Sequence, residues 1–393
     1  MTRRLQEWNR HINAFVALSD TPAQAGPLNG MEVGVKDIID VAGLPTKNGS
    51  LACHNSPPAD QDAQVVNRLR EAGARVVGKT TTTEFAFTDP TSCRNPHNLA
   101  RSPGGSSSGS GAAVAAGIVD IALGTQTAGS LIRPSAYCGV VGFKPTRDLL
   151  SLNGVTPLAR SFDTVGIIGQ DVSLVHMAFE VMAPLKPFSM ALQFNALCGL
   201  WDTGVDICPE WLQAFDSACI SLEDHSSAVT RQSLPAELDQ VVAAHRTVMC
   251  AEAFTHHKSL LDIDHASMLQ PMFRAGLEAG RKVSPEDLNA AYHFLAQAAK
   301  KFWGAMSHTE LMLTLPVPDG APLHNGTTGF QDWLTPWTVF GGPLICLPWG
   351  LDALSRPRSV MLAAHPGQDQ FLLALASQLE RCAPKTPKPK LPC

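Results

Sequence analysis

Hydrophobic and polar positions change rhythm several times along this chain. Residues 31–40, MEVGVKDIID, alternate and are rich in Val and Ile, which predicts a strand with Lys36 and Asp37 in its middle. In QDAQVVNRLREAGARVVGKT (61–80) apolar residues recur at helical spacing, a glycine follows, and Val76-Val77 form a short apolar run. That order predicts helix, glycine cap, strand. Residues 88–110 are punctuated by Asp89-Pro90, Asn95-Pro96, Ser102-Pro103 and several glycines, and read as loop. GAAVAAGIVDIALGTQT (111–127) passes from helix to strand, and CGVVGFKPT (138–146) is another apolar run ended by proline. From 185 the pattern differs: HRTVMCAEAFTHHKSLL (245–261) and EDLNAAYHFLAQAAKKFWGAM (286–306) read as long amphipathic helices. LMLTLPVP (311–318) and GGPLICLPWG (341–350) return to strand-like runs. The expected architecture is α/β, a mixed central β-sheet covered by α-helices. Residues 1–383 form one domain in this reading, with 185–310 a mainly helical insertion on the substrate side. The tail, 384–393, is rich in Pro and Lys and reads as disordered.

Composition narrows the function classes. With 393 residues, 45% hydrophobic and 17% charged, the chain has enough apolar surface to fold as a globule. A net charge of −5 without a basic cluster gives no reason to expect nucleic acid. No apolar window is long enough for a membrane span, and the N-terminal segment has Glu7, Arg10, His11 and Asn13 where a signal peptide needs an apolar stretch. A cytoplasmic protein with no membrane partner is expected. Ten cysteines form no CxxC and fit no zinc motif, so they read as buried apolar residues in a reducing compartment. Nothing in the sequence asks for a metal or a cofactor.

The most unusual stretch is SPGGSSSGSGAAVAAG (102–117). A phosphate-binding P-loop would need Lys where Ser110 stands. A dinucleotide turn would need a small residue where Val114 stands. Gly105-Ser106-Ser107-Ser108-Gly109 matches GxSxG, but a polar, proline-broken loop precedes it where a nucleophile elbow needs a strand. A flexible linker does not run straight into an Ala/Val helix. Downstream, GTQTAGSLIRPSAYCG (124–139) offers Thr127, Ala128, Gly129 and Ser130, whose backbone N–H groups can converge as an oxyanion hole ending on a serine. That serine needs a base. His256, His257 and His265 lie on helical patterns and read as packed or surface residues. Lys36, among apolar neighbours, could act as a base if desolvated, against the blander reading of a salt bridge to Asp37 or Asp40.

Together these segments resemble the amidase signature family. GVKDIIDVAGLPTKNGS (34–50) is similar to its lysine strand, SPGGSSSGSGAAVAAG to its Gly/Ser-rich signature, and LGTQTAGSLIRPSAYCGVVGFKPT (123–146) to its nucleophile segment. Ser106 and Ser130 stand 24 positions apart, as the family pattern requires. The resemblance implies the amidase signature fold, with helices on both sheet faces, and a Ser-cisSer-Lys triad. In it Ser130 is the nucleophile, Ser106 the relay after a cis peptide at Gly105, and Lys36 the base. It implies an oxyanion hole at Thr127, Ala128, Gly129 and Ser130, with Ser107 and Thr125 as supporting hydroxyls. Within the family, GKTTTTEFAFTDPT, NPHN and GTQTAGSLIRP look most like malonamidase, with Arg133 three residues after Ser130. That likeness implies that Arg133 grips a substrate carboxylate, and that a malonamate-like amide is cut to malonate and ammonia through an acyl-enzyme. Ureido or aryl amides, or an amidotransferase-subunit role, are the alternatives. The expected partners are a small-molecule amide and, as is common for the fold, a second copy in a homodimer. Ala128 stands where those relatives have Gly.

Overall fold

The computed structural model describes residues 3–183, 194–202, 204–234, 237–307, 310–324 and 326–392. Its strands are β1 (Phe15–Leu18), β2 (Glu32–Lys36), β3 (Arg75–Thr80), β4 (Ile121–Gln126), β5 (Val141–Lys144), β6 (Thr164–Gly169), β7 (Asn195–Leu200), β8 (Ala228–Ser233), β9 (Glu310–Thr314), β10 (Leu344–Leu351) and β11 (Pro357–Ala363). They form one mixed sheet in the order β1-β3-β2-β4-β6-β5-β10-β11-β9-β7-β8. Within it β2, third from one edge, runs parallel to both β3 and β4, with Val35 opposite Leu123, while β4 pairs antiparallel with β6. Every residue of β4 and β6 is buried, which suits continuous apolar runs covered on both faces.

Helices flank this sheet. The N-terminal half supplies α1 (Arg3–Ile12), α2 (Gln64–Glu71), α3 (Ser108–Ala115), α4 (Ile132–Cys138) and α5 (Val172–Met182). The second half supplies α6 (Pro209–Glu223), α7 (Leu238–His257), α8 (Ile263–Ala266), α9 (Pro271–Gly280), α10 (Pro285–Gly304), α11 (Thr335–Phe340) and α12 (Asp369–Cys382). The helix α3 is built of small residues, SGSGAAVA, all buried. A Cβ at Gly109 would lie 2.3 Å from the Ala14 carbonyl oxygen and 2.4 Å from Thr81 N, so only glycine lets this helix approach so closely. The Gly/Ser run is therefore a packing device that places the loop before it against the sheet.

Three segments gain detail in the structure. The strand predicted over 31–40 ends at Lys36: Ile39 N donates to Lys36 O at 2.9 Å, turning the chain. Lys36 thus ends an inner strand and Asp37 follows it, instead of both lying mid-strand. The segment 185–310 holds the long helices α7 and α10 as expected, but also β7 and β8, which pair in parallel and extend the sheet edge. Its composition is Ala- and Leu-rich, and the buried run in β7 is too short for periodicity to separate from a helix. Residues 185–193, 203, 235–236 and 308–309 of that segment lie outside the described residues. Finally, residues 384–392 run without regular structure, but with defined contacts. Gly350 N donates to Thr386 Oγ1 at 3.1 Å and Lys388 Nζ to Gln170 Oε1 at 2.7 Å. Cys393 is outside the described residues.

Candidate active site

The ends of β2 and β4 and the loop before α3 meet at one buried point. Lys36 Nζ lies 2.7 Å from Ser106 Oγ and 2.7 Å from Thr125 Oγ1. Lys36 and Ser106 are both fully buried. Burial pushes the Lys36 pKa down to about 7, against an upward pull from the negative charge of Asp163. The salt bridge that offered a purely structural account of Lys36 goes elsewhere. Asp37 lies 3.1 Å from Lys79 Nζ, and Asp40 accepts from Thr46 Oγ1 at 2.6 Å. Lys36 is left with hydroxyl neighbours alone among its described hydrogen-bond partners.

The Gly105–Ser106 peptide bond is cis. Ser106 O accepts from Thr83 N at 3.2 Å and Ser108 N at 2.9 Å, which fixes the backbone around the hydroxyl. Ser107 N donates to Ser130 O at 3.1 Å and so ties the two serine segments together. Ser107 Oγ faces both the N and the O of Thr125 at 3.3 Å. A Cβ at Gly124 would come within 2.8 Å of that hydroxyl, which is why β4 carries glycine there.

Residues 127–130 turn from β4 into α4. Thr127 Oγ1 donates to Asp163 Oδ1 at 2.6 Å, and Asp163 Oδ2 accepts from Leu158 N and Ala159 N at 2.9 and 3.1 Å. The Gln126 carboxamide oxygen accepts from Leu131 N and Ile132 N. Among the described residues, the N–H groups of Ala128, Gly129 and Ser130 have no hydrogen-bond acceptor, and neither does the Ser130 hydroxyl. Buried backbone donors are seldom left unmatched, so a cluster of them marks a place for a ligand oxygen. Ala128 takes no positive φ, so its Cβ carries no backbone cost.

Arg133, which the resemblance gives to a substrate carboxylate, has partners within the protein. It is 1% exposed. Its Nε and Nη2 both donate to the Gly105 carbonyl, at 3.1 and 2.6 Å, Nη1 donates to Gly329 O at 2.8 Å, and Nη2 also reaches Thr328 Oγ1 at 3.2 Å. Burial lowers its pKa to about 10, which leaves it a cation at neutral pH. The guanidinium thus clamps the peptide that leads into Ser106. Thr328 and Gly329 also line a cavity of about 240 Å³ together with Arg246, Met272 and Asp332. Asp163, His245 and Thr338 escaped the sequence reading. For Asp163 a signal existed: a carboxylate directly before the buried run TVGIIG has to find partners inside the protein.

The Amidase family pattern matches residues 8–373. This chain belongs to the amidase family. A glutamyl-tRNA(Gln) amidotransferase subunit from Geobacillus sp. (strain WCH70) is 41% identical over 207 residues, 47% of this chain and 42% of that protein. Such an alignment spans less than half of that curated relative. The corresponding protein from Methanothermobacter thermautotrophicus is 27% identical over 96% of this chain and 93% of its own length. A solved structure described as an amidase superposes with a TM-score of 0.87 at 28% identity, covering 97% of this chain and 94% of that one. The mixed sheet flanked by helices is the architecture of these amidase-family structures. The likeness to malonamidase expected from the sequence is not what these relatives show: they are named as amidotransferase subunits and an amidase. No helix among the described residues is long and apolar enough to cross a membrane.

Proposed function

We propose that this amidase-family enzyme hydrolyses the C–N bond of a small linear amide through Ser130, Ser106 and Lys36. One observation carries the reading: a fully buried lysine whose pKa is lowered to about 7 contacts the Ser106 hydroxyl at 2.7 Å, at the base of a loop with unmatched N–H groups. Neutral Lys36 accepts the Ser106 proton as Ser106 accepts that of Ser130. Ser130 Oγ attacks the amide carbonyl, and the oxyanion takes the N–H groups of 127–130. Ser106 returns a proton to the leaving nitrogen, releasing ammonia and an acyl-Ser130, which water hydrolyses to the carboxylic acid. Thr125 and Ser107 hold the relay in place. No step needs a metal or a cofactor.

Malonamate stays a candidate substrate, but the direct grip by Arg133 is disfavoured. Four of its five N–H groups already point at Gly105, Gly329 and Thr328. An ammonia-release assay on malonamate and its neutral diamide, with wild type and Arg133→Lys, decides this. Loss confined to malonamate supports the grip. Equal loss on both supports the clamp on Gly105. Loss of turnover in Ser130→Ala is required by either. The named relatives favour a second reading, an ammonia-releasing subunit that works within an amidotransferase. It predicts preference for free glutamine or asparagine and a dependence on partner chains. A homodimer, checked by analytical ultracentrifugation, fits the first reading.

A further inference from the structure

The oxyanion loop is braced from behind by residues outside the three sequence motifs. Thr127 O accepts from His245 Nε2 at 2.8 Å, and Ala128 O accepts from the Thr338 hydroxyl. His245 lies on α7 and Thr338 on α11, both from the half of the chain beyond the motifs. In a trans peptide the C=O and N–H of one plane point in opposite directions. Thr127 O shares its plane with Ala128 N, and Ala128 O shares its plane with Gly129 N. Pinning each carbonyl on the far side therefore turns two of the unmatched N–H groups to the opposite side of the loop.

His245 is suited to this. It is 3% exposed, and the Phe162 ring lies over it with centroids 4.4 Å apart. Burial lowers its pKa to about 4, so it is neutral at working pH. A carbonyl only accepts, so the single ring proton sits on Nε2. Phe162 directly precedes Asp163, which holds the Thr127 side chain. Thr127 is thereby fixed at both its hydroxyl and its carbonyl.

We infer that His245 is a positioning residue for the oxyanion hole, fixing the Thr127–Ala128 peptide plane so that Ala128 N–H is aimed before substrate arrives. This rests on the amide-hydrolysis reading above. Preorganised donors stabilise charge that develops only in the transition state, so losing their aim lowers kcat and leaves KM nearly unchanged.

The test compares wild type, Ser130→Ala, His245→Leu, His245→Asn and His245→Gln. Readouts are ammonia release on the best-turned-over amide of a short aliphatic panel, and the rate of Ser130 labelling by a fluorophosphonate. Glutamine places an N–H near the position of Nε2, whereas asparagine falls short of it. We expect His245→Leu and His245→Asn to lose about 10- to 100-fold in kcat, below the ~10²–10³ of deleting a donor. KM should stay within about twofold, labelling should slow in parallel, and His245→Gln should recover most of the loss. Thermal melts report folding. Should both damaging variants fail to fold, Thr338→Val tests the neighbouring plane and must show the same loss in kcat. Unchanged kcat in folded His245→Leu, or a loss that glutamine does not restore, overturns the brace while leaving the hydrolase reading intact. A wild type that neither turns over any amide nor labels at Ser130 overturns both.

Discussion

The lowered pKa of Lys36 makes a demanding prediction. A lysine with its ordinary pKa near 10.4 is neutral in about one molecule in 2,500 at pH 7. Burial brings this one to about 7, where about half is neutral, a gain in available base of about a thousandfold. The direction follows from which form works. Only the neutral amine can take the Ser106 proton, so the rate should rise with pH and level off above about 8. Below about pH 6 it should fall about tenfold per pH unit. The midpoint belongs to a coupled pair, because burial raises the nearby Asp163 carboxyl to about 6 and its negative charge holds the Lys36 value up. Asp163→Asn removes that charge, so its midpoint should move to lower pH, whatever its effect on the maximal rate. Lys36→Arg puts a permanent cation in the base position and should be inactive throughout. The assay is kcat/KM for ammonia release between pH 5 and 9 on each protein, with melts confirming the fold. A flat profile in wild type, a limb rising toward acid, or an active Lys36→Arg enzyme would refute the assignment of Lys36 as the base.

Two stability predictions follow from the packing around the site. Gly109→Ala forces a methyl to within 2.3 Å of the Ala14 carbonyl. The cost should be about 1–3 kcal/mol, seen as a lower urea midpoint, and an unchanged midpoint would mean that α3 is not packed this closely. Asp37→Ala leaves Lys79 buried without its carboxylate. Removing one partner of a buried pair costs about 3–5 kcal/mol, or drives the lysine neutral. A large fall in Tm at pH 7 that shrinks as pH rises toward 10 is expected, because the unpaired lysine sheds its proton there. A pH-independent loss would point to packing instead of charge.

Composition and local pattern by themselves determined a good part of this protein. The α/β alternation, the helices α7 and α10, the central strands and the three motifs carrying Lys36, Ser106 and Ser130 are local signals, each read within a few tens of residues. The run of Gly, Ser and Ala told locally against a flexible linker, whereas the close approach of α3 to Ala14 and Thr81 is a tertiary fact. Tertiary structure decided what those residues face. Lys36 could have been half of an ion pair with Asp37, and what excludes this is Lys79, a residue 42 positions away on β3 that takes the carboxylate. Arg133 carried the right chemistry for a substrate carboxylate, but the fold directs its donors to the Gly105 and Gly329 carbonyls. His245 gave no signal of its own in the sequence, and it is α7 that brings it to the Thr127 carbonyl, 118 positions away. Sequence reports which groups are present and their local spacing. A hydrogen bond or a desolvated charge depends on what lies across a few ångströms, and for these residues that neighbour is distant in the chain.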